Sequence, residues 1–343
     1  PMHLTLLVPE LLWPEPADTA AWDDLRLPGL EWILGRSTLH RAPPLPFEHC
    51  LAAAWNRSPE APLAALRLLG ESVTGSLATE GVWVCADPVH LRFHHERIVL
   101  ADAGAFELSA AEAAALVTDL NREFAELGHF HATDPRRWHL RLNQPALHPA
   151  PPLSAVAGRR LDRDAPGSAS TLRAVQNEIQ MMLHGHPVNA ARAASGLPTV
   201  NGLWLWGSGA LDQAPAAPFA LAAGTTPLAA GLARAAGANA IRLPENLDAL
   251  MAAAPAGSCL VVLDAALAPV LYEDATRWRT VMAELDATWF APASRALGRS
   301  LRSLTLSAPT LYGVLHWNLC AGDRWRIWRR PVDPAYLARS LAA

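Results

Sequence analysis

The chain contains no lysine: all 28 basic residues among its 343 are arginine. That excludes a pyridoxal-phosphate Schiff base, a Walker-A phosphate loop and any lysine nucleophile. Arginine stays protonated and presents a planar fork, so phosphates and carboxylates can be clamped but not attacked by an amine. Cysteine is scarce as well. Cys50, Cys85, Cys259 and Cys320 stand far apart, so no CxxC metal or redox pair exists. Charged residues make up only 17% of the chain, and the net charge is −4. Overall charge therefore gives no drive toward nucleic acid or anionic surfaces. No charge-free run of about 18 apolar residues is present, so no membrane span is expected. The first residues lack a basic segment followed by a long apolar stretch, and the reading is a cytoplasmic protein without a secretory signal. HExxH, GxSxG and a strand-borne GxGxxG are missing too.

What is present is apolar. Hydrophobic residues reach 51%, enough for one large core or two smaller ones, and roughly 150 residues per domain predicts about two. His3–Val8 reads as a buried strand, followed by a segment rich in Pro and Trp with helical pieces near Gly29–Leu34 and Leu63–Leu69. At Gly81 the texture changes: Gly81–Ala86, Val89–His94 and Arg97–Ala101 read as an antiparallel meander. Ser109 and Glu112 form a capping box for a helix with Leu116, Val117, Leu120, Phe124 and Leu127 on one stripe, ended by Gly128. Arg137–Leu142 is a further strand, and 143–168 a long Pro-rich loop. Ser170–His184 is a second amphipathic helix, with Pro187–Ser195 a short third closed by Gly196.

From there the rhythm is strand and helix in alternation. Gly202–Trp206, Ala238–Leu243, Ser258–Asp264 and Leu301–Leu306 are strands. Pro227–Ala236, Glu245–Ala253 and Glu273–Arg299 (one long helix or two) lie between them. Such alternation predicts a mostly parallel sheet with covering helices. Leu311–Asn318 and Arg324–Arg330 read as a hairpin around Ala321-Gly322-Asp323, and Asp333–Leu341 as a terminal helix. The expected architecture is an α/β core, residues 1–80 and 201–343, interrupted by an α+β insertion, 81–200.

Chemistry concentrates in His184-Gly-His-Pro-Val-Asn-Ala-Ala-Arg192 and the stretch to Gly209. Asn189 and Arg192 share a helix face, and His186 precedes that helix, where free N–H groups favour an anion. Gly207 and Gly209 let backbone approach a ligand. His186, Asn189, Arg192 and Asn201 thus form a candidate anion-binding corner, or equally a hinge whose His and Asn cap backbone. Arg136 and Arg137 can hold a phosphate or carboxylate bidentately, or stand in solvent. His90, His94, His95, His129, His131 and His139 are a second concentration; His129 and His131 share one side of an extended chain, yet no Cys or carboxylate pair completes a zinc site. Arg324-Trp-Arg-Ile-Trp-Arg-Arg330 alternates Arg with large apolar residues, a pattern suited to bases and phosphates or to an edge hairpin. Thirteen Trp exceed what a core usually needs, so an exposed aromatic patch is expected.

The order of these motifs resembles the archaeal-type cofactor-independent phosphoglycerate mutases of the alkaline-phosphatase superfamily. It is most similar to a proteobacterial branch of mutase-like or Rpf-type regulatory proteins. The likeness rests on His186-Pro-Val-Asn-x-x-Arg192 with Asn201 and Trp206-Gly-Ser-Gly209. It extends to Leu228–Gly237 with Ile241 and Pro244, and to Gly81–Glu112 with Ala103-Gly104. The resemblance implies an alkaline-phosphatase-like core with an inserted substrate domain, two divalent metals (Mn, Mg or Zn) held by Asp and His, and a Ser or Thr nucleophile. Three departures follow. Pro9-Glu10 stands where the first metal Asp-Gly belongs, Leu306-Ser307-Ala308-Pro309 where an Asp-His pair belongs, and Asp264-Ala-Ala-Leu-Ala-Pro269 lacks its His. Asp264 alone remains as a weak metal candidate, with Glu273 or Asp274 nearby in sequence. Phosphoryl transfer needs cations to neutralise the equatorial oxygens. The expectation is a bacterial, non-catalytic mutase-like protein without cofactor that binds a small anionic ligand or a protein partner in regulation. One alternative is an active, 2,3-bisphosphoglycerate-independent mutase or phosphatase with relocated metal ligands. Another is an interaction module for protein or single-stranded nucleic acid.

Overall fold

In chain order the strands are β1 (Met2–Leu7), β2 (Thr38–Ala42), β3 (Val82–His94), β4 (Arg97–Asp102), β5 (Gly128–Asp134), β6 (Arg137–Leu142), β7 (Arg160–Leu161), β8 (Gly202–Ala210), β9 (Leu221–Gly224), β10 (Asn239–Arg242), β11 (Gly257–Val262), β12 (Leu301–Thr310) and β13 (Gly313–Cys320). The computed structural model describes residues 2–71, 80–94, 97–102, 106–145, 150–157, 160–161, 171–254 and 256–343. His95, Ala103-Gly104 and much of the Pro-rich segment 143–168 lie outside the described residues. The class is α/β with a mostly parallel sheet, plus a second, antiparallel sheet. Two compact units result, 1–57 with 214–343, and 58–213. The expected boundaries therefore move: 58–80 and 201–213 belong with the second unit, because β8 pairs with β3 rather than with the parallel strands.

In the first unit the strand order is β10-β9-β11-β1-β12-β13-β2. The strands from β10 to β12 are parallel, and β13 and β2 are antiparallel. Leu4 lies level with Cys259 and Leu304, and Leu6 with Val261 and Leu306, making one apolar face. Onto it pack Leu30 and Ile33 of helix Pro28–Arg36, Trp278 and Met282 of helix Ala275–Leu285, and Ala293. Each such Leu or Ile contributes about 1.5–3 kcal/mol by leaving water. The N-terminal tryptophans belong to this core: the Trp13 and Trp22 rings lie 5.6 and 5.2 Å from Trp278. The opposite face mixes buried Leu7, Leu260 and Val262 with a polar row of Ser307, His316 and His40 level across β12, β13 and β2.

The run read as one long helix or two is two: Ala275–Leu285 and Ala291–Ala296 flank a π turn at Asp286–Phe290. The wider turn brings the buried Asp286 carboxylate onto the Gly29 and Leu30 N–H groups, 3.2 and 2.7 Å, at the start of helix Pro28–Arg36. The C-terminal hairpin is β12 with β13, turning at Leu311-Tyr312. Arg324–Arg330 is not its second strand; Ala321–Trp325 is a 3-10 turn and coil follows. There the Asp323 carboxylate accepts from the Cys320 N–H at 2.8 Å, which curls the chain away from the sheet.

The second unit is a six-stranded antiparallel sheet, β5-β6-β3-β4-β7, with β8 also on β3. The two runs expected on either side of Pro88 are one strand, β3. Pairing to β6 ends at Cys85 and pairing to β4 begins at Val89, so Pro88 stands where a missing N–H breaks no ladder on that edge. The helix Ala110–Glu123 carries its capping box as expected, but stops at Phe124. Gly128 instead opens β5, where a Cβ would sit 2.0 Å from the Arg141 carbonyl. Val84 and Ala86 face Leu116, Leu120, Ile179 and Leu183 in an apolar layer.

The other face of β3 is buried and polar. Helix Leu63–Gly70 lays Arg67 across it. Its guanidinium donates to both Asp87 oxygens at 2.8 and 2.9 Å, to the Trp138 carbonyl at 2.8 Å and to His139 Nε2 at 3.1 Å. Asp87 also accepts from the Trp138 N–H and Trp206 Nε1 at 3.1 and 2.8 Å. Burial alone would push the Arg67 pKa down, but the Asp87 carboxylate outweighs it and the pKa rises. Beside this network Arg137 holds the buried Glu71 at 2.8 and 3.1 Å. Arg67→Met leaves Asp87 buried and unpaired, and should cost about 3–5 kcal/mol in urea unfolding. Pairing it with Asp87→Asn should cost less than Arg67→Met alone.

Candidate functional site

In open α/β sheets, ligands bind outside the carboxyl ends of the strands. In the first unit those ends present Glu10 after β1, Thr225 after β9, Asp264 after β11, and Ser307–Thr310 late in β12. Beyond β1 the chain runs along β12, with Val8 and Glu10 N–H groups donating to the Ser307 and Pro309 carbonyls at 2.8 and 2.9 Å. Glu10 is buried in the left-handed region, φ +57°, and its carbonyl accepts from Trp278 Nε1 at 3.0 Å. Asp264 accepts from the Thr225 hydroxyl at 3.1 Å, and burial pushes its pKa up against that bond. Glu273 and Asp274 are exposed; the Asp274 carboxylate caps helix Ala275–Leu285 instead. Cys50 reaches this edge too. Burial drives its thiol up to about 11, against a hydrogen bond with Ser307, so it is no nucleophile at neutral pH.

Two divalent metals require several carboxylates and imidazoles converging on one point. Among the described residues no three His, Cys, Asp or Glu side chains do so. The residues at these strand ends do not fit the pair of metals that the resemblance implies, and no step is derived through them.

In the second unit His186, Asn189, Arg192 and Asn201 are largely engaged by the chain itself. His186 caps helix Pro187–Ala194, Nδ1 accepting from the Val188 N–H at 3.1 Å while Nε2 meets Asp119 at 2.8 Å. Asn189 donates to the Leu183 and Val200 carbonyls and accepts from the Val200 N–H, at 2.7, 2.7 and 2.8 Å. Arg192 reaches Pro198 and Glu107 carbonyls and the Glu112 carboxylate at 2.7, 2.8 and 2.8 Å. Asn201 pairs with the Leu91 backbone through both amide atoms, 2.7 and 2.9 Å. These donors hold carbonyls and carboxylates, so an arriving anion would have to displace them. The corner is built as a fastener tying the 196–201 segment to its helices and to β3. Nor do Gly207 and Gly209 face a ligand: a Cβ on them would meet Leu63 at 3.0 Å and Pro62 at 2.8 Å.

Arg136 and Arg137 part company. Arg137 is engaged with Glu71, whereas Arg136 is exposed and no side-chain partner stands beside it among the described residues. The histidines scatter as well. His139 belongs to the Arg67 network, and His90 Nδ1 lies 2.7 Å from the Thr199 carbonyl. The His129 and His131 rings meet at 4.6 Å on the outer strand β5. Sequence reasoning missed Arg67 and Asp87. The signal was there: a lone Arg in Leu63-Ala-Ala-Leu-Arg-Leu-Leu-Gly70, and a lone Asp in the apolar run Val82–Val89.

No protein-family model matches the chain, and no curated protein matches it by sequence. Similarity appears at the level of solved structures. The PH0037 protein from Pyrococcus horikoshii is 12% identical, with a TM-score of 0.59 over 98% of this chain and 92% of that one. A cofactor-independent phosphoglycerate mutase from Thermoplasma acidophilum is 16% identical, with a TM-score of 0.49 over 97% and 94%. The likeness to the Pyrococcus protein is one of fold, across nearly the whole chain.

Asn189→Ala removes three buried hydrogen bonds and should lower the stability of the chain by about 1–3 kcal/mol, measured by thermal or urea unfolding. A second outcome concerns acid. Burial, then His129 and Arg141, hold His131 down to about 4, and burial with Arg67, Arg137 and His131 holds His139 well below 6.5. Unfolded, both imidazoles take protons near 6.5, so the unfolded state binds more protons below that pH. Stability should therefore fall as pH drops from 6.5 toward 4, and His131→Gln should flatten the fall in a urea midpoint series.

Proposed function

We propose that this chain is a phosphoglycerate-mutase-like protein that has lost phosphoryl transfer and works by binding, to a small anionic ligand or to a protein partner, in regulation. Three things support the reading: the order of motifs, the fold shared with the Pyrococcus protein, and the residues at the strand ends. The observation that carries it is the company of Asp264. Its carboxylate accepts from the Thr225 hydroxyl at 3.1 Å, and among the described residues no group of three His, Cys, Asp or Glu side chains forms there, where a metal pair needs several. At the other strand ends the one carboxylate is Glu10 after Pro9, and Ser307-Ala308-Pro309-Thr310 offers hydroxyls but neither carboxylate nor imidazole. Of the arginines expected to meet an anion, Arg136 is the one whose guanidinium stays clear of the described residues.

The test is a coupled assay for interconversion of the two phosphoglycerates, run with Mn2+, Mg2+ or Zn2+. No turnover above background is expected with any of them. Turnover that disappears with EDTA would establish an active mutase and overturn the proposal.

A further inference from the structure

The segment that was expected to be a strand is where the molecule holds large apolar side chains in water. Trp325, Ile327 and Trp328 are 65%, 77% and 74% exposed. The backbone beneath them is firmly held. Arg36 donates to the Arg326 and Arg329 carbonyls, Arg329 to the Ser37 carbonyl at 2.9 Å, and Val332 N–H to the Glu31 carbonyl at 3.0 Å. Gly35 lets the chain lie so close that a Cβ there would be 2.2 Å from the Arg330 carbonyl. The apolar tips are thus presented on a fixed support, and little ordering entropy remains to oppose docking. Around them stand Arg324, Arg326, Arg329 and Arg330 against one carboxylate, Asp323. Asp323 is buried and paired with Arg326 at 3.0 Å. Within a chain of net charge −4, this is a local surplus of positive charge.

Charge and shape choose among occupants. A second copy would set surplus arginine against surplus arginine. A single-stranded nucleic acid needs open aromatic faces, but the Arg324 guanidinium already covers the Trp325 ring at 4.5 Å. Ile327, the most exposed of the three, has no π face to offer. A bilayer surface with anionic headgroups fits what remains: Trp and Ile tips at the hydrocarbon boundary, the exposed Arg330 among the phosphates, and the added positive charge of Arg324, Arg326 and Arg329, which hold the Gly298 carbonyl, Asp323 and the Ser37 carbonyl. The geometry points to the Trp325–Arg330 loop as a peripheral docking site for an anionic lipid surface. It stands apart from the catalytic question and holds whether or not phosphoryl transfer is lost. No described helix is long and apolar enough to cross a membrane, so the contact would be superficial.

The full chain is sedimented with vesicles of phosphatidylcholine containing about one-third phosphatidylglycerol, and with phosphatidylcholine alone. Binding to the anionic vesicles that weakens with salt is expected, with little binding to the neutral ones. Ile327→Glu and Trp328→Ser should each reduce it about tenfold or more. Both positions are solvent-exposed, and circular dichroism checks that the fold is kept. Absence of sedimentation, or equal sedimentation of Ile327→Glu, would overturn the inference. So would tight binding to oligothymidylate that Trp328→Ser abolishes, or a dimer in analytical ultracentrifugation that Ile327→Glu dissolves.

Discussion

The pair of Arg67 and Asp87 is the constraint around which the second unit is arranged. Two desolvated charges are tolerable only when every donor and acceptor finds a partner, and here the partners come from the helix Leu63–Gly70 and from β3, β6 and β8. A one-residue slip of β3 would turn Asp87 toward the apolar layer that now holds Val84 and Ala86. An uncompensated carboxylate among leucines is far costlier than a lost aliphatic contact. The network therefore selects one register for a long strand that has three pairing neighbours. Burial, and after it the Arg67 Nε–H aimed at its Nε2, hold the pKa of His139 well below its ordinary value.

The first unit shows the converse. Its strand ends have the geometry in which α/β sheets usually gather chemistry, yet the polar groups there are few and satisfied locally. Thr225 holds Asp264, Ser307 lies on a thiol that stays protonated, and backbone N–H groups of Val8 and Glu10 bond along β12. The His186-to-Arg192 motif, the most specific point of resemblance, has a job that needs no catalysis. It ties a helix, a capping box and the 196–201 segment together through Glu112, Val200 and Pro198.

Local signals were read well wherever local physics decides. The capping box at Ser109, the helix Pro187–Ala194 with its His186 cap, and the parallel strands β1, β11 and β12 all follow from spacing and punctuation. Errors arose where a tertiary partner overrode a local cue. Pro88 looked like a break, but its missing N–H falls between two pairing partners. The alternation from Arg324 to Arg330 looked like a strand, but Asp323 curls the chain and Arg36 pins it. For the polar corner the sequence left two roles open, an anion site or His and Asn capping backbone; which carbonyls and carboxylates meet Arg192 and Asn189 is decided by segments far away in sequence. At the strand ends, Asp264 was legible as a carboxylate following a strand; the Thr225 bond to it was not.

One consequence lies in the glycines of β8. Pro62 and Leu63, just inside the start of the second unit, rest on Gly209 and Gly207, just before its end. The chain thus enters and leaves this unit at adjacent points, a doorway only a few side chains wide. A module whose two ends meet can be spliced into a loop of a host, or lifted out and rejoined, without prying the host apart. Such a doorway makes the unit transplantable in principle, a cassette that evolution or an engineer can exchange while the parallel sheet stays as it is.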